Sequence, residues 1–314
     1  MAVIPQQVLS DEEMRRVEEV IRRTVTSDVP LISQICAHVM GAGGKRLRPR
    51  VLLLAYKAVG GKNISEAVPL AATVELLHTA SLIHDDINDH SATRRGQVSV
   101  NALLGDSLAL LIGDFIFIKL LSHMASLSPR SIRVLADACR DIVEGETLQM
   151  LNMGNIEMTE EIYLKIVTQK TASLFAASAE LGALIGGGTE EQIRVLAEYG
   201  LHLGVTFQIR DDTLDLIGDP HVLGKPVAGD IGQGKYGLAV LYGLRVGDCL
   251  AKSLEQKDIQ TVLCLLEESG ALDYADRRAQ EYAKAARSAL SRLPVSSARS
   301  ALEELADWAA RRDS

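Results

Sequence analysis

Two acidic clusters, Asp85-Asp86-Ile87-Asn88-Asp89 and Asp211-Asp212-Thr213-Leu214-Asp215, hold the residue types in this chain best spaced to do chemistry. Both read D-D-x-x-D, and each ends an apolar stretch of helical periodicity. On a helix, Asp85 and Asp89 lie one turn apart on one face, as do Asp211 and Asp215. Carboxylates so placed repel each other and destabilise the helix unless a cation lies between them. Oxygen-only ligands suit Mg2+, which keeps part of its water and is commonly shared with substrate phosphates. Two such faces opposed would hold a diphosphate between metal ions. Acidic clusters are ordinarily solvated helix surface, but the flanks here point to a pocket wall. Val74, Leu77, His78 and Ser81 share the Asp85 direction, and Gly200, Leu203, Gly204 and Phe207 share that of Asp211, so each face turns small or apolar beneath its acids.

A diphosphate also needs positive charge, and three polar, non-helical stretches offer it. They are 41–49 with Lys45, Arg46 and Arg48, 90–97 with Arg94 and Arg95, and 218–237 with Lys225 and Lys235. Gly-rich loops with cations at helix ends present backbone N–H groups and side chains to phosphate oxygens. The local charge matters because the chain as a whole carries a net charge of −8, which argues against non-specific nucleic-acid binding.

The elements that position these residues read as helices from end to end. Ser10-Asp11-Glu12-Glu13 and Thr189-Glu190-Glu191-Gln192 are capping boxes, the second opening a helix that runs through Asp215 to about Gly218. Further helices are expected at 10–26, 30–41, 46–59, 65–89, 99–125, 130–152, 160–186, 235–248, 257–269, 272–292 and 297–311. No strand-like alternation and no fixed repeat is visible. A composition of 47% hydrophobic and 4% aromatic residues, with no Pro/Ser/Gly linker, predicts one all-α domain over residues 1–314 with a sizeable core. The longest apolar run, 103–121, is interrupted by Asp106, Asp114 and Lys119, so no membrane span is expected. The first residues carry no secretory pattern, and Cys36, Cys139, Cys249 and Cys264 lack metal-ligand or redox spacing, which predicts reduced thiols in the cytoplasm.

Taken together, these motifs closely resemble the trans-polyprenyl diphosphate synthases, from Gly44-Lys45-Arg46-Leu47-Arg48-Pro49 through His78 to Asp86, Arg94-Arg95-Gly96, Lys170-Thr171-Ala172, Phe207-Gln208, Asp211-Asp212, Gly224-Lys225-Pro226 and Gly234-Lys235. The resemblance covers nearly the whole chain. It implies an all-α fold of about 10–13 helices around a deep central cavity, a homodimer, and about three Mg2+ between the acidic motifs. It also implies isopentenyl and allylic diphosphates as substrates, with at most peripheral membrane contact for product release. Carried over by residue, Asp85 and Asp89 bind two metals and Asp211 the third, with Asp86, Asp212 and Asp215 as further ligands or holders of metal-bound water. Lys45, Arg48, His78 and Arg95 resemble the isopentenyl diphosphate site. Arg94, Lys170, Lys225 and Lys235 resemble the cations on the allylic diphosphate, and Thr171 and Gln208 sit beside the developing carbocation.

Short-chain members of that family place an aromatic residue four or five positions before the first aspartate, where this chain has Ser81 and Ala80. With Leu77 and Val74 expected one and two turns deeper, the resemblance implies a long-chain product of about thirty to fifty carbons. Three positions depart from the family pattern: Arg210 before the second motif, Asn88 inside the first, and Gly237 where a Thr often follows Lys235. A class I terpene cyclase would replace the second D-D-x-x-D and has no use for Lys45 and Arg48. A non-catalytic subunit of a heteromeric prenyltransferase could lose its aspartates, and all six remain.

Overall fold

Ser10 accepts the Glu13 backbone N–H while the Glu13 carboxylate accepts that of Ser10, so α1 (Asp11–Thr24) starts at its capping box. The computed structural model describes residues 8–125, 127–218, 227–247 and 249–312. Next come α2 (Pro30–Gly41), α3 (Leu47–Ala58), a 3-10 turn at Ile64–Glu66, and α4 (Val68–Asn88), whose C-cap is Asp89. A minimal antiparallel hairpin of β1 (Thr93–Arg94) and β2 (Gln97–Val98) pairs Thr93 with Val98 and leads to α5 (Val100–Leu104) and α6 (Asp106–Met124). α7 (Pro129–Leu151) is followed by α8 (Glu160–Val167), a π turn at Thr168–Ala172, and α9 (Ser173–Ile185). The second capping box, Thr189 with Gln192, opens α10 (Glu190–Ile217). Beyond it lie α11 (Gly229–Gly232), α12 (Leu238–Val246), α13 (Cys249–Glu255), α14 (Ile259–Glu268), α15 (Ala271–Leu290) and α16 (Ser297–Arg311).

The helices fall close to where caps and periodicity put them, and the differences have local causes. The single helix expected over 99–125 is two, because Gly105 sits at φ 81°, where the backbone turns out of the α conformation. The helix expected over 160–186 is continuous in space but carries the π turn in its middle. The hairpin at 93–98 is too short to leave an alternation in the sequence.

α10 is 28 residues long, about 42 Å, and joins two apolar clusters. Its first half, with Leu196, Tyr199 and Leu203, packs with α1, α3, α4, α6, α9 and α16. Its second half, with Val205, Ile209 and Leu216, packs with α8, α12, α14 and α15. The small residues Gly200 and Gly204 do not line a pocket as the sequence suggested. A Cβ at Gly204 would stand 2.5 Å from Ala172 Cα, so the glycines let α10 lie against the π turn and α9.

Two stretches, Ile64–Asn88 and Asp106–Met124, are long and apolar enough to cross a membrane by length and composition alone. The first is mostly buried inside the molecule. The second is not, and Leu110, Leu111, Ile118 and Leu121 on α6 are each about half exposed or more. The charges on which the sequence excluded a span therefore do not settle how α6 is covered.

Candidate active site

The helices α4 and α10 deliver both acidic motifs to one cavity of about 690 Å3, further lined by α3, α7, α8, the π turn, the 230–240 segment and Arg312. On α4, Asp85 and Asp89 line it. Lys170 Nζ lies 3.7 Å from Asp85 Oδ2 and also pairs with Glu146 of α7, while Lys235 Nζ lies 2.5 Å from Asp89 Oδ1. Burial pushes the Asp85 carboxyl up to about 6; Lys170 opposes the rise while Glu146 and Asp89 add to it. Burial works against the Lys170 charge too, but Asp85 and Glu146 outweigh it and hold the ammonium above its ordinary range. Asp86, one residue on, is buried outside the cavity lining, where its Oδ1 accepts Arg94 Nε at 2.8 Å and pairs with Nη2 as well.

On α10 the same letters meet other partners. Asp211 is half exposed and accepts Arg312 Nη2 at 2.7 Å, with the Arg312 guanidinium stacked 3.9 Å over the Phe207 ring. Asp212 is deeply placed, and both its oxygens are engaged: Tyr163 donates to Oδ2 at 2.6 Å and Gln208 Nε2 to Oδ1 at 2.7 Å. Burial pushes this carboxyl up to about 7, with Asp230 adding to the rise. Asp215 accepts the Asp230 N–H at 3.1 Å on Oδ2, and its backbone carbonyl accepts the Ala228 N–H at 2.7 Å, so it anchors the chain that leads to Lys235. Arg210 donates to the Arg312 carbonyl and pairs with Asp276 at 3.2 Å, outside the cavity lining. Asn88 is exposed at the end of α4.

A second cationic group lies along the mouth of α3. Lys45 Nζ is 5.2 Å from the Trp308 ring centroid, and burial, helped by Arg312, pushes its ammonium down to about 8. Arg48 is buried with its guanidinium 4.5 Å over Phe175, and burial pushes it down to about 10. Arg95 donates to the Gly43 carbonyl at 2.6 Å. Burial and the guanidinium groups of Arg48, Arg95, Arg94 and Arg46 hold His78 well below the ordinary imidazole range, so it is neutral. Arg46, between Lys45 and Arg48 in sequence, turns inward at φ 49° and ties the loop to α1 and α4 through Glu18 at 2.6 Å and Glu75 at 2.9 Å.

Lys170 and Thr171 both stand on the π turn, a device that shifts side chains off the α-helical face. Thr171 Oγ1 donates to Gln208 Oε1 at 2.8 Å. Gly145 of α7 allows the approach: a Cβ there would lie 2.5 Å from the Lys170 backbone nitrogen. At the apolar end the cavity meets Ser81, Leu82 and Ile142. Leu77, Ala80 and Val74 lie beneath Ser81, buried and outside this cavity lining, on a helix that packs against α1, α3 and α6. Lys225 lies outside the described residues.

Four participants were missed in the sequence. Glu75 had a signal, being a charge inside an apolar run that demands a partner. Tyr163, Glu146 and Arg312 had none, since each meets its partner across at least 24 residues of chain. Among the described residues no three acidic groups converge as a closed metal cage. The all-oxygen donors instead stand apart on two walls, a spacing that fits ions which keep water and share phosphate oxygens.

The profile of the polyprenyl synthetase family matches residues 29–264. Octaprenyl diphosphate synthase of Haemophilus influenzae is 37% identical over 316 residues, spanning 98% of this chain and 96% of that protein. A short chain isoprenyl diphosphate synthase of Methanothermobacter thermautotrophicus is 36% identical over 310 residues, 94% of this chain and 95% of its own. The crystal structure of a polyprenyl synthase from Caulobacter crescentus, complexed with calcium and isoprenyl diphosphate, superposes with a TM-score of 0.93 at 37% identity, over 98% of this chain and 96% of that one.

Proposed function

The chain belongs to the polyprenyl synthetase family and is a trans-prenyltransferase, and from that premise we propose that it condenses isopentenyl diphosphate repeatedly onto an allylic diphosphate to give a long all-trans chain. The observation that carries this reading is the division of one cavity into two cationic groups, Lys170 and Lys235 on the carboxylates of the first acidic motif and Lys45, Arg48 and Arg95 gathered at the start of α3. Two diphosphates need two such groups.

The enzyme uses a divalent metal, and we propose about three Mg2+ held by Asp85, Asp89 and Asp211. Bound metal supplies positive charge to the leaving diphosphate as the allylic carbon–oxygen bond breaks. Lys170 and Lys235, freed from the carboxylates, take up the same diphosphate, and Arg94, anchored by Asp86, extends that group. Lys45, Arg48 and Arg95, with neutral His78 as a hydrogen-bonding partner, hold isopentenyl diphosphate so that its double bond faces the new cation. Thr171 and Gln208 turn oxygen atoms toward that cation. The condensation ends with loss of a proton to the departed diphosphate, so no side-chain base is required. Lys225 completes the allylic group in this reading, and residues 1–314 act as one domain because α10 is shared by both halves of the core.

Product length follows from the apolar end. Ser81 and Leu82 leave it without an aromatic stop, which supports about thirty to fifty carbons. Incubation with farnesyl diphosphate, labelled isopentenyl diphosphate and Mg2+ tests this by chain-length analysis. Arrest at fifteen or twenty carbons, about the range of the short-chain reading, refutes the length, and cyclised or absent product refutes the reaction. Ser81→Phe should shorten the product without weakening either diphosphate.

We also propose a homodimer built on α6, whose exposed Leu110, Leu111, Ile118 and Leu121 form one stripe too apolar to leave in water. Light scattering checks this: the wild type should have twice the chain mass, and Ile118→Glu the mass of one chain. The four unpaired thiols fit the cytoplasm as its place of work.

A further inference from the structure

Beyond the residues the family resemblance brings to the carbocation, a chain of hydrogen bonds runs behind them. Tyr163 of α8 donates to Asp212 Oδ2 at 2.6 Å, Gln208 Nε2 donates to Asp212 Oδ1 at 2.7 Å, and Thr171 Oγ1 donates to Gln208 Oε1 at 2.8 Å. The direction of each bond constrains the next. With its NH2 group spent on Asp212, Gln208 must present its carbonyl oxygen on the other side, where the Thr171 hydroxyl meets it. Thr171 has then given its only proton to Gln208, which leaves its own lone pairs for the cavity. Both oxygens therefore offer negative charge where a cation forms, and neither offers a proton.

The orientation depends on Asp212 staying in place. An amide rotated by half a turn would present N–H groups to the cation, reversing the sign of its contribution. We propose that Tyr163 is a positioning residue for the condensation: through Asp212 it fixes the Gln208 amide with its carbonyl oxygen toward Thr171 and the reacting carbon. This rests on the reading that Gln208 and Thr171 face the carbocation. Tyr163 suits the task, since its side chain is buried and its hydroxyl is committed to Asp212. The chain that follows Lys235 packs on the same carboxylate. A Cβ at Gly237 would lie 2.9 Å from Asp212 Cβ and 3.2 Å from its Oδ2, the oxygen that accepts from Tyr163, so both residues confine Asp212. Gly237, where the family often has a Thr two residues after the lysine, thereby gains a reason to be small.

Tyr163→Phe removes one hydroxyl and keeps the ring. Its single-turnover condensation rate should fall about 10- to 100-fold, the usual effect of losing a residue that orients a functional group. The KM values of both diphosphates and the Mg2+ dependence should change less than about twofold, because no substrate or metal contact is touched. Gln208→Ala should lose rate by a similar factor, and adding Tyr163→Phe to it should cost nothing further, since the group being positioned is gone. A Gln208→Ala enzyme with normal rate would defeat the reading of Gln208 itself. A slow Gln208→Ala enzyme beside a normal Tyr163→Phe enzyme would defeat the role of Tyr163 alone. Losses that multiply in the double variant, or a raised Mg2+ requirement in Tyr163→Phe, would also overturn the proposal. Should Tyr163→Phe fold poorly, Gly237→Ala displaces Asp212 by its added Cβ, and its rate loss should likewise vanish in the Gln208→Ala background; a loss that persists there overturns the proposal.

Discussion

The two D-D-x-x-D motifs are alike in letters and unlike in surroundings. On α4 the motif ends its helix, with Asp89 as C-cap, and presents its first and last acids to the cavity with a lysine on each. On α10 it lies inside a helix that continues to Ile217, and only Asp211 is open, held by an arginine from the end of the chain. The middle acids divide as well: Asp86 secures Arg94, whereas Asp212 secures Tyr163 and Gln208. A motif thus fixes where carboxylates can be, and the neighbouring helices decide which of them face the ligand.

The largest test of that asymmetry removes one cavity acid at a time. Asp85→Ala and Asp211→Ala should each lower turnover by at least about a hundredfold with little change in melting temperature, since each acid is proposed to hold a metal that stabilises charge developing only in the reaction. Near-normal turnover in either variant would break the division into cavity acids and anchoring acids. A smaller effect should separate the cationic groups. Lys45→Ala or Arg48→Ala should raise the KM of isopentenyl diphosphate and Lys235→Ala that of the allylic substrate, each by about 1.5–3 kcal/mol of charge-assisted contact. Equal shifts for both substrates in every variant would merge the two sites into one. Gly145→Ala should cost about 1–3 kcal/mol in stability, read from denaturant midpoints, because its Cβ must displace the π turn carrying Lys170. A variant as stable as the wild type would mean that α7 yields there without strain.

The smallest expected effect is a pH dependence confined to the second cationic group. Lys45 is held near 8, so it loses its charge as pH rises through that value. The kcat/KM for isopentenyl diphosphate should fall on that alkaline limb, while that for the allylic substrate should not. Lys45→Arg should remove the limb, and its survival in that variant would assign it to another group.

Helix positions were legible because their signals are local. Ser10 with Glu13 and Thr189 with Gln192 cap the helices they open, and Pro30 and Pro129 sit in the first turns of theirs. The residues of the cavity were legible where a motif carried them, but not their pairing. Nothing in the sequence says that Asp86 turns away from Asp85, because a helix places both near the same rim and the choice is made by Arg94 from the hairpin beyond. The π turn was invisible for a related reason. One inserted residue shifts the phase of the buried face by about 100°, but the stretch is so rich in apolar and small residues, from Ile166 and Val167 to Ala172 and Leu174, that the shift leaves no gap in the pattern. For Leu77 and Val74, buried beneath the motif, the sequence could not say more, because an apolar face looks the same whether it lines a tunnel or packs a core.

The cations that occupy Asp85, Asp89 and Asp211 have a consequence for how ligands enter. If Asp85 and Asp89 hold metal as proposed, a metal ion arriving alone would displace Lys170 and Lys235 and then face two released ammonium groups. A diphosphate arriving alone finds those ammonium groups already claimed by carboxylates. Each ligand clears the way for the other, and thermodynamic reciprocity requires metal to tighten diphosphate by the same factor as diphosphate tightens metal. With the ion pairs of Lys170 and Lys235 set against the proposed metal ligands, metal and diphosphate should bind as a conjunction, each weakly without the other.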